Sequence, residues 1–308
     1  MKNMKLNLVL LGLALLAPFV LYPVFLMKVL CFALFACAFN LLLGFAGLLS
    51  FGHAVFLGSG AYVTGYLMLS VEGLTPEVGI LAGVAVSAIL GYVYGKLAIK
   101  REGIYFAMVT LALAQLAFFF FLQAPFTGGE DGIQGIPRGT LFGLIDLSDN
   151  LNMYYFVLSV FIGGFVLIYR TVHSPFGQVM KAIRENEPRA ISLGYKVNQY
   201  KLMTFVLSAT LAGLAGSTKA LVFQLASLTD VHWFMSGEVV LMTLLGGMGT
   251  IWGPVLGAST IVTLQNVLAS GPLGSYIHVI MGLVFIVCVL AFRNGLVGEI
   301  QKLVKRNF

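Results

Sequence analysis

The sequence predicts an all-α polytopic membrane protein, about ten transmembrane or re-entrant helices forming one domain over residues 1–308. Three observations carry that reading. Of 308 residues, 59 % are hydrophobic and only 10 % charged, where a soluble domain carries roughly a quarter charged. Apolar runs follow one another at span length, a helix needing about 20 residues to cross a core of about 30 Å. The polar stretches between them reach only about 30 residues, too short for a soluble domain.

Ten segments fit the pattern: Leu6–Leu26, Val29–Leu49, Phe51–Ser70, Gly79–Leu97, Gly103–Gln123, Met153–Tyr169, Leu202–Phe223, Gly237–Gly249, Trp252–Ser270 and Ser275–Phe292. The eighth is too short for a full crossing. MKNMK has the charge of a signal peptide, but the run to Leu26 is too long for one and reads as a retained span. Spans two to five and seven to ten would have opposite orientations, as in inverted-repeat transporters.

Lysine and arginine set the orientation. With the N-terminus inside, Lys2, Lys5, Lys96, Lys100, Arg101, Arg170, Lys181, Arg184, Arg189, Lys196, Lys201, Arg293, Lys302, Lys305 and Arg306 share one side, 15 of 18 basic residues. Lys28 and Arg138 fall outside, among Glu72, Glu77, Glu130, Asp131, Asp146, Asp149, Asp230 and Glu238. Both termini and a loop over residues 170–201 are therefore expected in the cytoplasm. The net charge of +6 follows the membrane and argues against nucleic acid. Lys219 lies about 27 Å up its helix from Lys201, near the outer boundary, where snorkelling accounts for it. The outer loop 124–152, rich in glycine and acid, is a cap, a docking surface or a plain connection.

The polar passage Arg170–Lys201 reads as two short helices. Ser174 caps the first and Pro175 occupies its first position. Phe176, Val179, Met180 and Ile183 fall on one face at i, i+3, i+4 and i+7, while Gln178, Lys181, Arg184 and Glu185 point elsewhere. Pro188 breaks or restarts the helix, and Gly194 is placed to end the second in the left-handed conformation. Such a shape fits a partner's groove or an anionic lipid surface.

Two glycine-dense stretches interrupt the apolar runs, Asn40–Tyr62 and Leu244–Ala258. Such stretches at membrane depth either break helices beside a wet path or let helices pack closely, as with Gly253 and Gly257 or Gly91 and Gly95. Asn40, Gly47, Ser50, Gly52, His53, Gly246, Gly247, Gly249, Gly253 and Pro254 are the candidates for a translocation path or gate. Ser50 and His53 lack the acid and the nucleophile elbow of a catalytic set, so a buried hydrogen-bonded histidine at a helix break is expected. Cys31, Cys37 and Cys288 lie in apolar runs without metal-ligand spacing. Mid-membrane acids for ion coupling are absent, and GYVYGKL at Gly91–Leu97 lacks the glycine spacing and Ser/Thr of a phosphate loop. Energy must come from a partner.

Four blocks in order, GLLSFGHAVFLGSGAY, TLALAQL with TGGEDGIQGIP, SPFGQVMKAIRENEPRAISLGY and LLGGMGTIWGPVLGA, resemble the LivM-type permease subunits of ABC importers for branched-chain amino acids. The resemblance covers nearly the whole chain. One departure is Leu48, where relatives often carry glutamine. It implies a type II importer-like permease in a bacterial inner membrane, not an enzyme, with no cofactor of its own and with ATP used by partner subunits. The implied partners are two ABC ATPases, a second, LivH-type permease and an extracytoplasmic binding protein, besides membrane lipid. It further implies that Pro175, Phe176, Met180, Ile183, Glu185, Glu187, Ala190 and Gly194 couple to the ATPase, with Phe176, Met180 and Ile183 supplying apolar contact. Urea, short amides or other amino acids are alternative cargoes. A self-sufficient secondary transporter and an intramembrane enzyme using Ser50 and His53 are the competing classes.

Overall fold

The computed structural model describes residues 12, 14–71, 73–271, 276–291 and 295–298. Lys2, Lys5, Glu72, Ser275, Phe292, Arg293, Lys302, Lys305, Arg306, both termini and the start of the first expected span lie outside them, as do the side chains of His278 and Cys288.

In chain order the helices are α1 (Pro23–Asn40, continued by a π-helical turn over Leu41–Phe45), α2 (His53–Ser70), α3 (Pro76–Ala98), α4 (Gly103–Gln123), α5 (Asn150–His173), α6 (Pro175–Glu185), α7 (Glu187–Ser192), α8 (Val197–Phe223), α9 (Trp233–Gly246), α10 (Gly253–Ala269) and α11 (Ile277–Ala291). Proline stands in the first turn of α1, α3, α6, α7 and α10, where its missing N–H costs no hydrogen bond. Among the described residues, five helices are long and apolar enough to cross a membrane: α1 with its π turn, α3, α4, α5 and α8. At 14 residues α9 rises only about 21 Å, as its short apolar run foretold.

The first boundary differs from expectation. Pro23 starts α1, so the interruption falls over Val20–Tyr22, and Lys28 sits inside the helix instead of in an outer loop. The second expected span also stops early, because the chain leaves the helix after Ala46 and runs without regular structure to Gly52. Leu48, Ser50 and Gly52 of this non-helical stretch are buried and Gly47 is exposed beside Arg184, so the irregular backbone faces protein or a cavity mouth, the condition for such backbone in a membrane bundle.

α1 and α8 are the most enclosed of the long helices, while α3, α4 and α5 expose apolar faces suited to lipid. The core is drawn tight by small residues. A Cβ on Gly216 would stand 1.8 Å from the Leu57 carbonyl oxygen, one on Gly60 2.4 Å from that of Gly213, and one on Gly91 2.5 Å from the Ala209 Cβ. α2, α3 and α8 thus meet almost backbone to backbone.

α5 runs between the two ends of the bundle, which we call upper, with the 124–149 loop, and lower, with α6 and α7. The upper loop is clasped to the turn after α8. β1 (Ile133–Gln134) pairs antiparallel with β4 (Leu225–Ala226), while β2 (Thr140–Leu141) and β3 (Ile145–Asp146) form a hairpin. Arg138 adds bonds to the Val222 carbonyl (3.0 Å) and Asn150 Oδ1 (2.9 Å). The glycines of the TGGEDGIQGIP block make this clasp: Gly128 and Gly132 hold φ of 75° and 68°, and a Cβ on Gly132 would lie 2.3 Å from the Ala226 oxygen.

Candidate functional site

The polar segment folds as its residues foretell. Ser174 Oγ accepts from Gly177 N (3.3 Å), Asn186 Oδ1 caps α7 through Arg189 N (3.0 Å), and Gly194 closes it at φ 84°. Pro188 restarts the helix.

Which side chains face outward is a correction. Met180, Ile183 and Ala190, expected among the contacts to a partner, are buried within this chain. Met180 packs among Cys37, Leu41, Ile168 and Val172, and its sulfur accepts from Thr204 Oγ1 (2.8 Å). Ile183 and Ala190 pack with Val197. Phe176 stacks on Tyr200 with ring centroids 5.5 Å apart. An amphipathic helix on a bundle buries its apolar stripe in that bundle first, each large side chain contributing about 1.5–3 kcal/mol. Glu187 is likewise engaged, holding Lys201 Nζ with both carboxylate oxygens (2.6 and 2.7 Å). Pro175, Glu185 and Gly194 are exposed, and the apolar side chains that do face outward are Ile191, Leu193 and Tyr195.

The seated segment reaches the two glycine-dense stretches through Arg184. Its guanidinium donates to the Gly44 carbonyl in the π turn, its stem lies against Gly47, and it borders Gly249. One turn earlier, Lys181 Nζ stands 5.8 Å from the Phe45 ring centroid. Asn40 then ties the stretches to each other: its amide donates to the Thr250 carbonyl (2.9 Å), and its oxygen accepts from Gly249 N (3.0 Å). Gly44 must be glycine here, since a Cβ would sit 2.6 Å from the backbone nitrogen of Gly249. Gly47, Gly247 and Gly249 hold φ of 72°, 118° and 73°, so they bend the chain. Gly246 and Gly253 instead bring α9 against α10, a Cβ on Gly246 falling 1.9 Å from the Gly253 oxygen, and Pro254 begins α10. The glycines that pack and the glycines that bend are thus different residues of the same block.

Ser50, Gly52 and His53 form a second place, at the start of α2. Ser50 Oγ accepts from Gly52 N (3.2 Å), not from His53. Ser208 Oγ donates to the Ala38 carbonyl (2.5 Å), which leaves its oxygen to accept from His53 Nε2 (2.8 Å). The histidine therefore carries a proton on Nε2, and this relay joins α2, α8 and α1. Phe39, Phe56 and Phe205 present ring edges at 5.1–5.6 Å around it. Thr110 Oγ1 accepts from Phe51 N (3.1 Å) and Ser236 Oγ from Ala54 N (2.9 Å), satisfying the backbone that the break releases. Asn40, Ser50 and His53 are all buried, so this conformation packs them into closed joints.

Arg184, Gly44, Thr110, Ser208, Ser236 and Thr250 belong to these joints and were not singled out from the sequence. Gly44 and Thr110 stand in or beside the blocks that carried the resemblance. Arg184 is exposed, as its place on the polar face foretells, but its bond to Gly44 gave no sequence signal, and neither did Ser208.

The family described as the permease component of branched-chain amino acid transport systems matches residues 23–289. The chain is similar to the high-affinity branched-chain amino acid transport permease LivM of Escherichia coli K12, with 29 % identity over 256 residues, 74 % of this chain and 59 % of that protein. It is also similar to the ribose import permease RbsC of Bacillus subtilis 168, with 28 % identity covering 78 % and 74 % of the two chains. With the permease LivH of Escherichia coli K12 it shares 22 % identity, covering 88 % and 93 %. The aligned region spans about 59 % of the length of the LivM protein. No solved structure matches the chain. The bend between α9 and α10 and the packing of Gly60 and Gly246 lie in the stretches that carried the resemblance, and the match to residues 23–289 settles it: the chain belongs to the branched-chain amino acid transport permease family.

Proposed function

We propose that this chain is the membrane permease of an ABC importer that takes up leucine, isoleucine or valine. An extracytoplasmic binding protein delivers the amino acid, a second, LivH-type permease completes the channel, and two ATPase subunits drive it. In this reading the chain sits in a bacterial inner membrane with residues 170–201 and both termini in the cytoplasm. It holds no cofactor, and the ATP is hydrolysed by its partners.

The observation that carries the reading is the path from α6 and α7 to the broken helices. Ile191, Leu193, Tyr195, Arg189 and Glu185 are the exposed surface for an ATPase groove. Met180 seats α6 against α1 and α5, Ile183 packs on Ala190 and Val197, and the Glu187–Lys201 pair fixes α7 to α8, so a push on this surface is carried into the bundle. Arg184 passes that movement to the π turn, and Asn40 passes it on to the bend between α9 and α10. A π turn replaces the i→i+4 bonding of the α-helix with i→i+5 bonds, a departure found frequently at functional sites. Cargo crosses without covalent change.

RbsC favours a second reading of the cargo alone, since its name specifies ribose. One experiment tests both layers. The chain is purified gently with its neighbours, these are identified by mass spectrometry, and ATP-driven uptake of leucine and of ribose is measured in liposomes. An ATPase subunit that is recovered with the wild type, together with leucine uptake, is the expected result. Ribose uptake alone reassigns the cargo, and uptake by the isolated chain without ATP overturns the importer reading.

A further inference from the structure

At the upper end, α8 turns back through β4 to a short 3-10 turn, Leu228–Asp230, and encloses a charged pair. Lys219 Nζ donates to Asp230 Oδ1, with the two side chains 14 % and 2 % exposed. The lysine is therefore not snorkelling to water. Its ammonium lies 5.9 and 5.8 Å from the ring centroids of Phe32 and Phe223. Tyr62, 2 % exposed, stands one turn beyond Gly58 on α2, where that helix packs against Val231 beside Asp230, and its ring is fixed by stacking on Phe121 at 4.8 Å.

Two atoms of this cluster are left over. Asp230 Oδ2 and the Tyr62 hydroxyl are buried, and neither has a hydrogen-bond partner among the described residues. Buried polar atoms are nearly always paired, so two orphans beside one ion pair call for a ligand. A buried ion pair is itself a weak source of stability.

Resting on the amino-acid reading above, we propose that Lys219, Asp230 and Tyr62 form a subsite for the charged ends of the cargo. The α-carboxylate is received by Lys219, and the α-ammonium by Asp230 Oδ2 and the Tyr62 oxygen. The charge count supports a zwitterion. The Lys219–Asp230 pair is neutral, and a neutral zwitterion exchanged into it sets two positive and two negative groups alternately, so no net charge is buried. A sugar offers neither charge, and an amine or a carboxylic acid alone leaves one group of the pair uncompensated. With Asp230 1 % exposed, this conformation is closed, and entry follows opening of the turn between α8 and α9.

The test uses the complete transporter in proteoliposomes, with L-leucine supplied on its binding protein, and reads leucine taken up per ATP hydrolysed. Two variants are compared with wild type. Tyr62→Phe keeps the ring and removes the hydroxyl. The double variant Lys219→Met/Asp230→Leu removes both charges, leaving neither alone in the core. The expected result is a fall of roughly tenfold to a hundredfold in the double variant, the scale of hydrogen bonds to charged groups, and a smaller fall in Tyr62→Phe. Wild-type coupling in an assembled double variant overturns the subsite. Should the double variant not assemble, wild-type coupling in Tyr62→Phe overturns it. A wild-type complex that hydrolyses ATP but moves no leucine overturns the amino-acid reading, and this subsite with it.

Discussion

Two sets of glycines shape this bundle for opposite reasons. Along α2, α3 and α8, Gly60, Gly91, Gly213 and Gly216 keep ordinary helical backbone, and each is there because a neighbouring helix occupies the space of a side chain. At the lower joint, Gly47, Gly247 and Gly249 carry positive φ, and the chain bends at each. The first set removes freedom and the second requires it. Glycine density at membrane depth is therefore not by itself a mark of a path, and the backbone angle is what separates the two uses.

The sharpest break of that comparison is Gly216→Ala. Its Cβ meets the Leu57 carbonyl at 1.8 Å, backbone against backbone, so α2 and α8 must part. A loss of about 3 kcal/mol, the upper end for overpacked cores, is expected in thermal unfolding of the detergent-solubilised protein. Unchanged stability would mean that α2 and α8 are not packed in this way.

Arg184→Ala comes next and acts on the bending set from outside. It deletes a charge-assisted bond to the Gly44 carbonyl, a loss of about 1.5–3 kcal/mol locally. Because Met180 and Ile183 still seat α6, the fold persists, and the expected signature is ATP hydrolysis without matching uptake. Arg184→Lys keeps the charge but loses the planar fork and restores coupling only in part. Equal coupling in Arg184→Ala and wild type would remove Arg184 from the transmission path.

Gly249→Ala gives a smaller change. The left-handed backbone at φ 73° costs an alanine about 1–2 kcal/mol. The added methyl also falls 3.1 Å from the Gly44 oxygen, so the bond from Gly249 N to Asn40 loosens and uptake falls along with stability. Gly163→Ala is the control with the least effect. It lies within α5 with nothing within 4 Å of its Cβ position, and the gain in helix propensity raises stability by at most about 1 kcal/mol. A large loss there would show that α5 is covered by a partner subunit at that face.

Much of the fold was legible because membrane helices announce themselves locally. Proline at a first turn, a serine cap, a left-handed Gly194 and an apolar stripe are set by bonds within a few residues, so α6 and α7 follow from reading along the chain, whereas hydropathy alone began α3 and α9 late, at Gly79 and Gly237 instead of Pro76 and Trp233. The apolar stripe of α6 was read correctly and its destination was not, since periodicity shows that one face is buried but not what buries it. Glu187 illustrates the same limit. An acid in a basic segment reads as a docking group, whereas its partner, Lys201, is set by how α7 folds back on α8.

The sequence by itself determined the class of the protein, its succession of apolar helices, the two-helix form of the polar segment and its kinship with a permease family. Tertiary structure alone decided that Asn40 meets Thr250 across 210 positions, that Arg184 meets Gly44 across 140, and that Lys219 faces Asp230 instead of water. The physical reason is range. Helix propensity and hydropathy act over a few residues, while a hydrogen bond between distant segments exists only after packing has excluded water and fixed which donor faces which acceptor.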